Sequence, residues 1–458
     1  MEQIFKSVHS LNRSKRWDYR FHQQEFSDLE SKLEKTIYPL YSVKEITEQV
    51  IDGTHFTPQY TDNSGVLFLM ARNVRPFEIN LDNVAYITKE EHQKLIRCKP
   101  EPGDVLVTKD GTIGVAAVVP DYLPEFNIFV SVIKVRPCSI VSSQYLAAFF
   151  NSELGQLQIK QQVKGASITH IHLEDIRRLK VPIHPRSIQD RIAQVMQNAY
   201  AARREKTAEA GRLYQEIDKY VLGELGIDIV QLQSQRRVLK SIQFIAGRRF
   251  DFDAVVTLQN IDFGLIEAVF LKEIVKQSNN RVTPVKELPH EYINYIGLGN
   301  ITSHIGDLGD FSPVKGEQIL SSSPTFNQGD ILFGRMRPYL NKVWLAEFDG
   351  VCSGEVVVLK PNKQKVDPRF LQTLLLSQVT LNQVLPLQSG TSLPRVSASD
   401  ILSIKLPIPQ DLYKQVEIGD EISRRRAEAK RLRAEAENLV IQAKARVEQM
   451  ILGEKEVA

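Results

Sequence analysis

With 458 residues, 42% of them hydrophobic and 25% charged, the chain exceeds one comfortable core and has the composition of a soluble globular protein with two or more domains. A formal net charge of +3 excludes a uniformly basic surface, so an anionic partner would have to meet positive charge gathered on loops. Cys98, Cys138 and Cys352 are odd in number and lack metal-like spacing, the N-terminal MEQIFKSVHSLNRSKRW lacks the apolar run of a signal peptide, and no segment approaches the roughly 20 apolar residues of a membrane helix. A soluble, cytoplasmic protein with reduced thiols is expected.

The predicted elements come twice. Arg16, Trp17, Asp18 and Tyr19 are echoed by Arg249, Phe250, Asp251 and Phe252, and VKEI from Val43 by VKEL from Val285. FLMARNV from Phe68 matches YIGLGNI from Tyr295, setting Asn73 against Asn300. GDVLVTKDGTIGVAAVV from Gly103 matches GDILFGRMRPYLNKVWLA from Gly329, and NIFVSVIKVRP, ending at Pro137, matches GVCSGEVVVLKP, ending at Pro361. These Val- and Ile-rich runs, punctuated by Gly, Pro and Asp, predict strands of a mainly antiparallel or mixed sheet. Apolar spacing predicts one helix over Gln144 to Gln162 and another over Pro368 to Leu385. KGASITHIHLEDI then matches QSGTSLPRVSASDI, and short strands, DIRRLKVPI from Asp175 and DILSIKLPI from Asp400, lead through Pro-containing turns into two long charged helices. From Gly103 to Gly329 the offset is 226 positions; from Gly165 to Gly390, and from Asp175 to Asp400, it is 225. So constant an offset marks a tandem duplication.

In the first long helix the stripe Ile188, Ile192, Val195, Ala199, Ala202 resumes at Leu213, Ile217 and Tyr220. The second begins at Val416, Ile418 and Ile422 and continues through Leu432, Ala436, Leu439, Ala443 and Met450. Alternating steps of three and four predict a coiled-coil seam that needs a partner helix. Arg186 to Glu224 would make a rod on the order of 58 Å long. The fold class expected is α/β (α+β), two repeated globules each followed by a long helix, with pseudo-twofold symmetry if the helices pair antiparallel.

Catalytic signatures are missing. No GxxxxGK[ST] loop, GxGxxG turn, HExxH, CxxC pair or adenine-methyltransferase motif occurs. Asp251 and Asp253 are better placed to cap a turn than to act as paired acids, and His170 and His172 form an HxH pair with no third ligand. The basic run within Ser423 to Arg433 reads as a solvated helix face or a partner-protein surface.

The duplicated GD[VI]L core with its following KDGT or RMRP turn, and GASIT and SGTSL before the DI segment, resemble the DNA-specificity (S) subunits of type I restriction-modification systems, over nearly the whole chain. The resemblance implies two target-recognition domains, at 1–182 and 248–408, two conserved spacer helices, at 183–225 and 409–458, and a linker at 226–247. It implies a non-catalytic reader of a bipartite DNA target, whose helices pair as an antiparallel coiled coil, fix the unread gap, and dock two methyltransferase (M) subunits and restriction (R) subunits. No cofactor is expected in this chain; S-adenosylmethionine would enter with the M subunits, and ATP and Mg with the R subunits. Where the first copy has DGTIG the second has RMRPYLN, so the two halves should read different sequences.

Base reading needs planar donors and acceptors, and phosphates need Lys, Ser, Thr and loop amides. The polar residues on predicted loops beside the repeat motifs are Arg72, Asn73, Lys109, Asp110, Thr112, Lys164, Ser167 and Thr169 in the first copy. In the second they are Asn300, Thr302, Arg335, Arg337, Tyr339, Asn341, Thr391, Ser392 and Arg395. Arg335 and Arg337 lie two apart after a strand and would share a face if it continued. A coiled-coil scaffold with protein-binding globules is the alternative, and a fused methyltransferase or nuclease lacks its motifs.

Overall fold

A computed structural model describes residues 24–163, 170–227 and 266–454. The echo at Arg16, Trp17, Asp18 and Tyr19, its partner at Arg249, Phe250, Asp251 and Phe252, the Asp251 and Asp253 pair, and nearly all of the 226–247 linker lie outside these residues. The chain falls into two compact units, Met1–Thr207 with Ala434–Ala458, and Ala208–Arg433.

The first unit holds a four-stranded antiparallel sheet in the order Thr47–Asp52, Val132–Pro137, Val105–Thr108, Ala116–Val118. The second repeats it as Val275–Gln277, Val356–Pro361, Ile331–Gly334, Val343–Leu345. Each unit adds a smaller mixed sheet with one parallel pair, Phe126–Ile128 beside Val66–Leu69 and Gly350–Cys352 beside Tyr295–Ile296. The central strands are buried on both faces, which is why they read as continuous apolar runs.

Two expectations need correction, each at matching positions of both copies. The helix predicted over Gln144 to Gln162 is two, Ser143–Asn151 and Glu153–Gln162, and the later one is Pro368–Leu376 and Gln378–Val384. The breaks fall at Ser152 and Ser377, both at φ −74° and ψ 165°, each donating its hydroxyl back to a carbonyl three residues earlier at 2.7 Å. A serine hydroxyl that closes the preceding turn outweighs the apolar period there; Ser152 also accepts the Gly155 N–H as an N-cap, which Ser377 does not. The strands predicted from Asp175 and Asp400 start as helical turns, Leu173–Arg178 and Ala398–Leu402, and only Lys180–Pro182 and Lys405–Pro407 are extended.

Buried glutamines hold each copy to its helix. Gln158 and Gln383 take the backbone N–H and C=O of Lys180 and Lys405 in a two-way clasp. Gln189 and Gln415, near the starts of the long helices, accept the N–H of Ser142 and of Asp367 at 2.8 and 3.0 Å.

The long helices run over Arg186–Glu224 and Leu412–Leu452. In the first unit Ile192, Met196 and Ala199 share a core cluster with Ala443, Val447 and Met450, while Lys206 reaches Glu435 at 2.7 Å. In the second, Arg433 lies over Tyr214 at 4.8 Å, Arg425 over Tyr220 at 4.6 Å, and Lys414 pairs with Glu224. Positions rise along one helix as they fall along the other, so within each unit the segments pack antiparallel. The seam is wider than predicted near Ile192, where Ala193 and Tyr200 are also buried and the helix serves as a core element. The basic run is not wholly a solvated face: Arg424 and Arg431 pair with Glu421 and Glu428, but half-buried Arg426 packs against Asp307 and donates to the Ile305 carbonyl.

Candidate nucleic-acid interface

In each unit the central strand ends at a polar turn, and a segment from about 60 residues later is laid against it. In the first, Asp110 bridges His170 and the Ile171 N–H donates to the Lys109 carbonyl; in the second, Met336 bridges Arg395 and the Val396 N–H donates to the Arg335 carbonyl. These are the same pairs at the offset of the repeat. The turns expected to face a ligand therefore converge with the segments that follow GASIT and SGTSL.

The first turn is built on Lys109 and Thr108. The Thr108 hydroxyl donates to the Thr112 carbonyl and accepts the Val115 N–H at 2.9 Å, while Gly111 and Gly114 take the left-handed backbone the loop requires. Lys109 Nζ lies 3.0 Å from Asp52, which His55 also approaches at 2.9 Å. Burial pushes the Asp52 carboxyl up, but the hydrogen bonds from Lys109 and His55 outweigh it and hold the group below its usual range. Thr112 is exposed and Asp110 half-buried. Arg72 is exposed on the neighbouring turn, with Nη2 donating to the Asn83 carbonyl at 3.2 Å. Ser131 joins the two turns, its hydroxyl accepting the Ala71 N–H and its carbonyl the Lys109 N–H. Lys164, Ser167 and Thr169 lie outside the described residues.

Asn73 is a correction. It is fully buried; its side-chain oxygen accepts the Met70 N–H at 3.0 Å and its amide donates to Asn80, so it shapes the turn instead of offering a base-reading edge. Half-buried Asn300 does the same at the matching turn, accepting the Gly297 N–H at 2.9 Å. Thr302 is half-buried, its N–H spent on Asp307. Asn341 is a second correction, buried and donating to the Leu376 carbonyl at 2.6 Å.

The second turn departs from the predicted geometry. Its strand ends at Gly334, and Arg337 sits at φ +51°, so Arg335 and Arg337 do not continue one strand face. The Arg337 N–H donates to the Pro394 carbonyl at 2.7 Å, while its exposed side chain has no hydrogen-bond or ion-pair partner among the described residues. Arg395 instead grips Glu355, Nε and Nη2 lying 3.0 and 2.9 Å from its carboxylate oxygens, with Nη1 on the Leu393 carbonyl. Arg335 Nε is 3.8 Å from Glu355. Tyr339 is 45% exposed, and Thr391 and Ser392 are exposed nearby in sequence to Arg395. The Arg395 hydrogen bonds hold the Glu355 carboxyl below its usual range. Glu355, Asp52 and Ser131 were missed from sequence; each reaches its turn through strand register, which no local motif encodes.

No group of three or more metal-ligating side chains occurs among the described residues. A family model described as Type I restriction modification DNA specificity domain matches residues 26–210 and 265–438. The chain belongs to this family. Its two specificity-domain matches follow the two copies read from the repeat. It is similar to the type I restriction enzyme EcoDI specificity subunit of Escherichia coli, 31% identical over 123 residues, or 26% of this chain and 27% of that protein. The MjaVIII specificity subunit of Methanocaldococcus jannaschii is 22% identical over 337 residues, 68% of this chain and 72% of that one. The alignment thus spans about a quarter of the first relative and nearly three quarters of the second. Among solved structures, the S subunit from M. genitalium superposes with a TM-score of 0.47 at 12% identity, over 91% of this chain and 96% of that one. The HsdS subunit from Thermoanaerobacter tengcongensis gives a TM-score of 0.36 at 16% identity, over 91% and 97%.

Proposed function

We propose that the chain is the DNA-recognition subunit of a type I restriction-modification complex, each copy reading one half of an asymmetric bipartite target. The observation that supports this reading most is the matched pair of polar turns. Identical backbone pairings present Lys109, Asp110 and His170 in one copy and Arg335, Met336 and Arg395, with Arg337 next in sequence, in the other. One scaffold with two sets of side chains suits one reading mode applied to two sequences. The division into recognition domains at 1–182 and 248–408, spacer helices at 183–225 and 409–458 and a linker at 226–247 belongs to the same proposal. So does the assembly. M subunits would bring S-adenosylmethionine and R subunits ATP and Mg, this chain would catalyse nothing itself, and the helices would act as the spacer between half-sites.

The test is a map of methylated adenines in cells with and without this subunit, its methyltransferase partner supplied. A two-part motif with a fixed gap is expected. Arg337→Ala should weaken one half only, by about 1 to 3 kcal/mol for a lost base contact. Methylation independent of this chain would overturn the reading, as would salt-independent binding of the complex to DNA.

A further inference from the structure

We propose that Glu355 is a positioning residue that sets the base preference of the second copy, bracing Arg395 so that this half-site contains a G·C pair read at its guanine. This rests on the DNA-reading function proposed above. Glu355 enters the turn by two routes, its carbonyl accepting the Arg335 N–H at 2.9 Å and its carboxylate gripping Arg395. One carboxylate thus serves two guanidinium groups unequally. Arg395 takes the hydrogen bonds, whereas the buried Arg335 Nε, 3.8 Å away, has no hydrogen-bond partner. A buried donor without an acceptor is costly, and at this turn a ligand oxygen would supply the missing partner.

Three arginines against one glutamate leave this turn with two uncompensated positive charges facing a polyanion. Arginine recognises guanine by placing two donors on O6 and N7, and a guanidinium gripped through Nε and Nη2 has already surrendered its rotamer freedom; its outer donors, Nη1 on the Leu393 carbonyl at 3.1 Å and Nη2 at 3.7 Å from Met336 Sδ, would exchange these partners for the base. The left-handed backbone of Arg337, together with that of Asn341 at φ +46°, is a conformation non-glycine residues seldom keep without cause. In the first copy Lys109 holds Asp52 and His170 stands where Arg395 does, so the brace is peculiar to the second half.

Methylated adenines are to be mapped with the wild-type complex and with Glu355→Gln, Arg395→Lys and the double variant. Glu355→Gln keeps the shape and removes the charge; Arg395→Lys keeps the charge and removes the fork. One half-site should contain a G·C pair whose discrimination falls about ten-fold or more in each single variant and no further in the double, as for two residues acting together. Methylation governed by the other half-site should not change, which reports within the same molecule that the subunit still folds and assembles. Unchanged discrimination in Glu355→Gln, losses that add, changes at both halves, or a half-site of A·T pairs alone overturns the proposal. A wild-type complex that yields no two-part motif instead overturns the reading on which it rests.

Discussion

His184 shows how a single side chain can be legible as a letter and opaque as a function. It lies in the turn before the first long helix, 3% exposed, its ring 3.9 Å from that of Tyr38 and 5.7 Å from that of Tyr145, with both ring nitrogens lacking a hydrogen-bond partner. Burial holds its pKa down at about 4, the Ile451 backbone pulling weakly the other way. Between pH 6.5 and 4 the unfolded chain therefore binds a proton that the folded chain refuses, so stability falls as the pH drops through that window and is flat above it. At pH 5 the loss from this group should be on the order of 2 kcal/mol. Thermal unfolding of the wild type and of His184→Leu at pH 7 and pH 5 checks it: the variant should lose less between the two. Equal losses would mean that the ring is protonated in the folded protein.

At the scale of elements, the long helices were legible because an apolar period that lapses and then resumes within 39 and 41 residues has few competing explanations. Short elements were read less well. A serine hydroxyl bonded back to the preceding turn split both mid-domain helices and a helical turn displaced both short strands, since over five to ten residues one side-chain hydrogen bond can outweigh the apolar pattern. The polar turns were found from their Gly, Pro and Asp punctuation; the partners Glu355 and Asp52 were not, because strand pairing brings them there. Where the helices meet in the second unit, Ala210 and Ala429 are both fully buried beside Leu432. Small residues there let the two backbones approach, so Ala429→Leu should overpack the contact and cost about 1 to 3 kcal/mol in urea unfolding. Ala434→Leu, at an exposed position of the same helix, should stay within about 0.5 kcal/mol. A similar loss in both would trace the effect to the helix itself and not to the contact.

For the whole molecule, duplication makes the order of the copies arbitrary in physical terms. In the second unit the end of the first long helix, through Val221 and Leu222, and Ile227 just beyond it pack in one core with Leu271 and Ile274. In the first unit the end of the second long helix, through Met450, Ile451 and Leu452, packs in one core with Leu29 and Leu33 of the helix Gln24–Glu34, and Lys32 reaches Glu448 at 2.7 Å. Between these two elements of the second unit the sequence has residues 228–265, 38 in number, and joining Ala458 to Met1 would put residues 455–458 and 1–23, 4 and 23, or 27, between the matching elements of the first. A permuted chain with Ala458 joined to Met1 and new ends within 228–265 should then fold cooperatively, with a Tm within about 5 °C of the parent. It should also direct methylation to the same two-part motif, since both copies keep their cores and their turns. A permuted chain that folds but shifts the gap in that motif would show that residues 228–265 help set the spacing, and one that fails to fold would show that the chain order itself stabilises the cores.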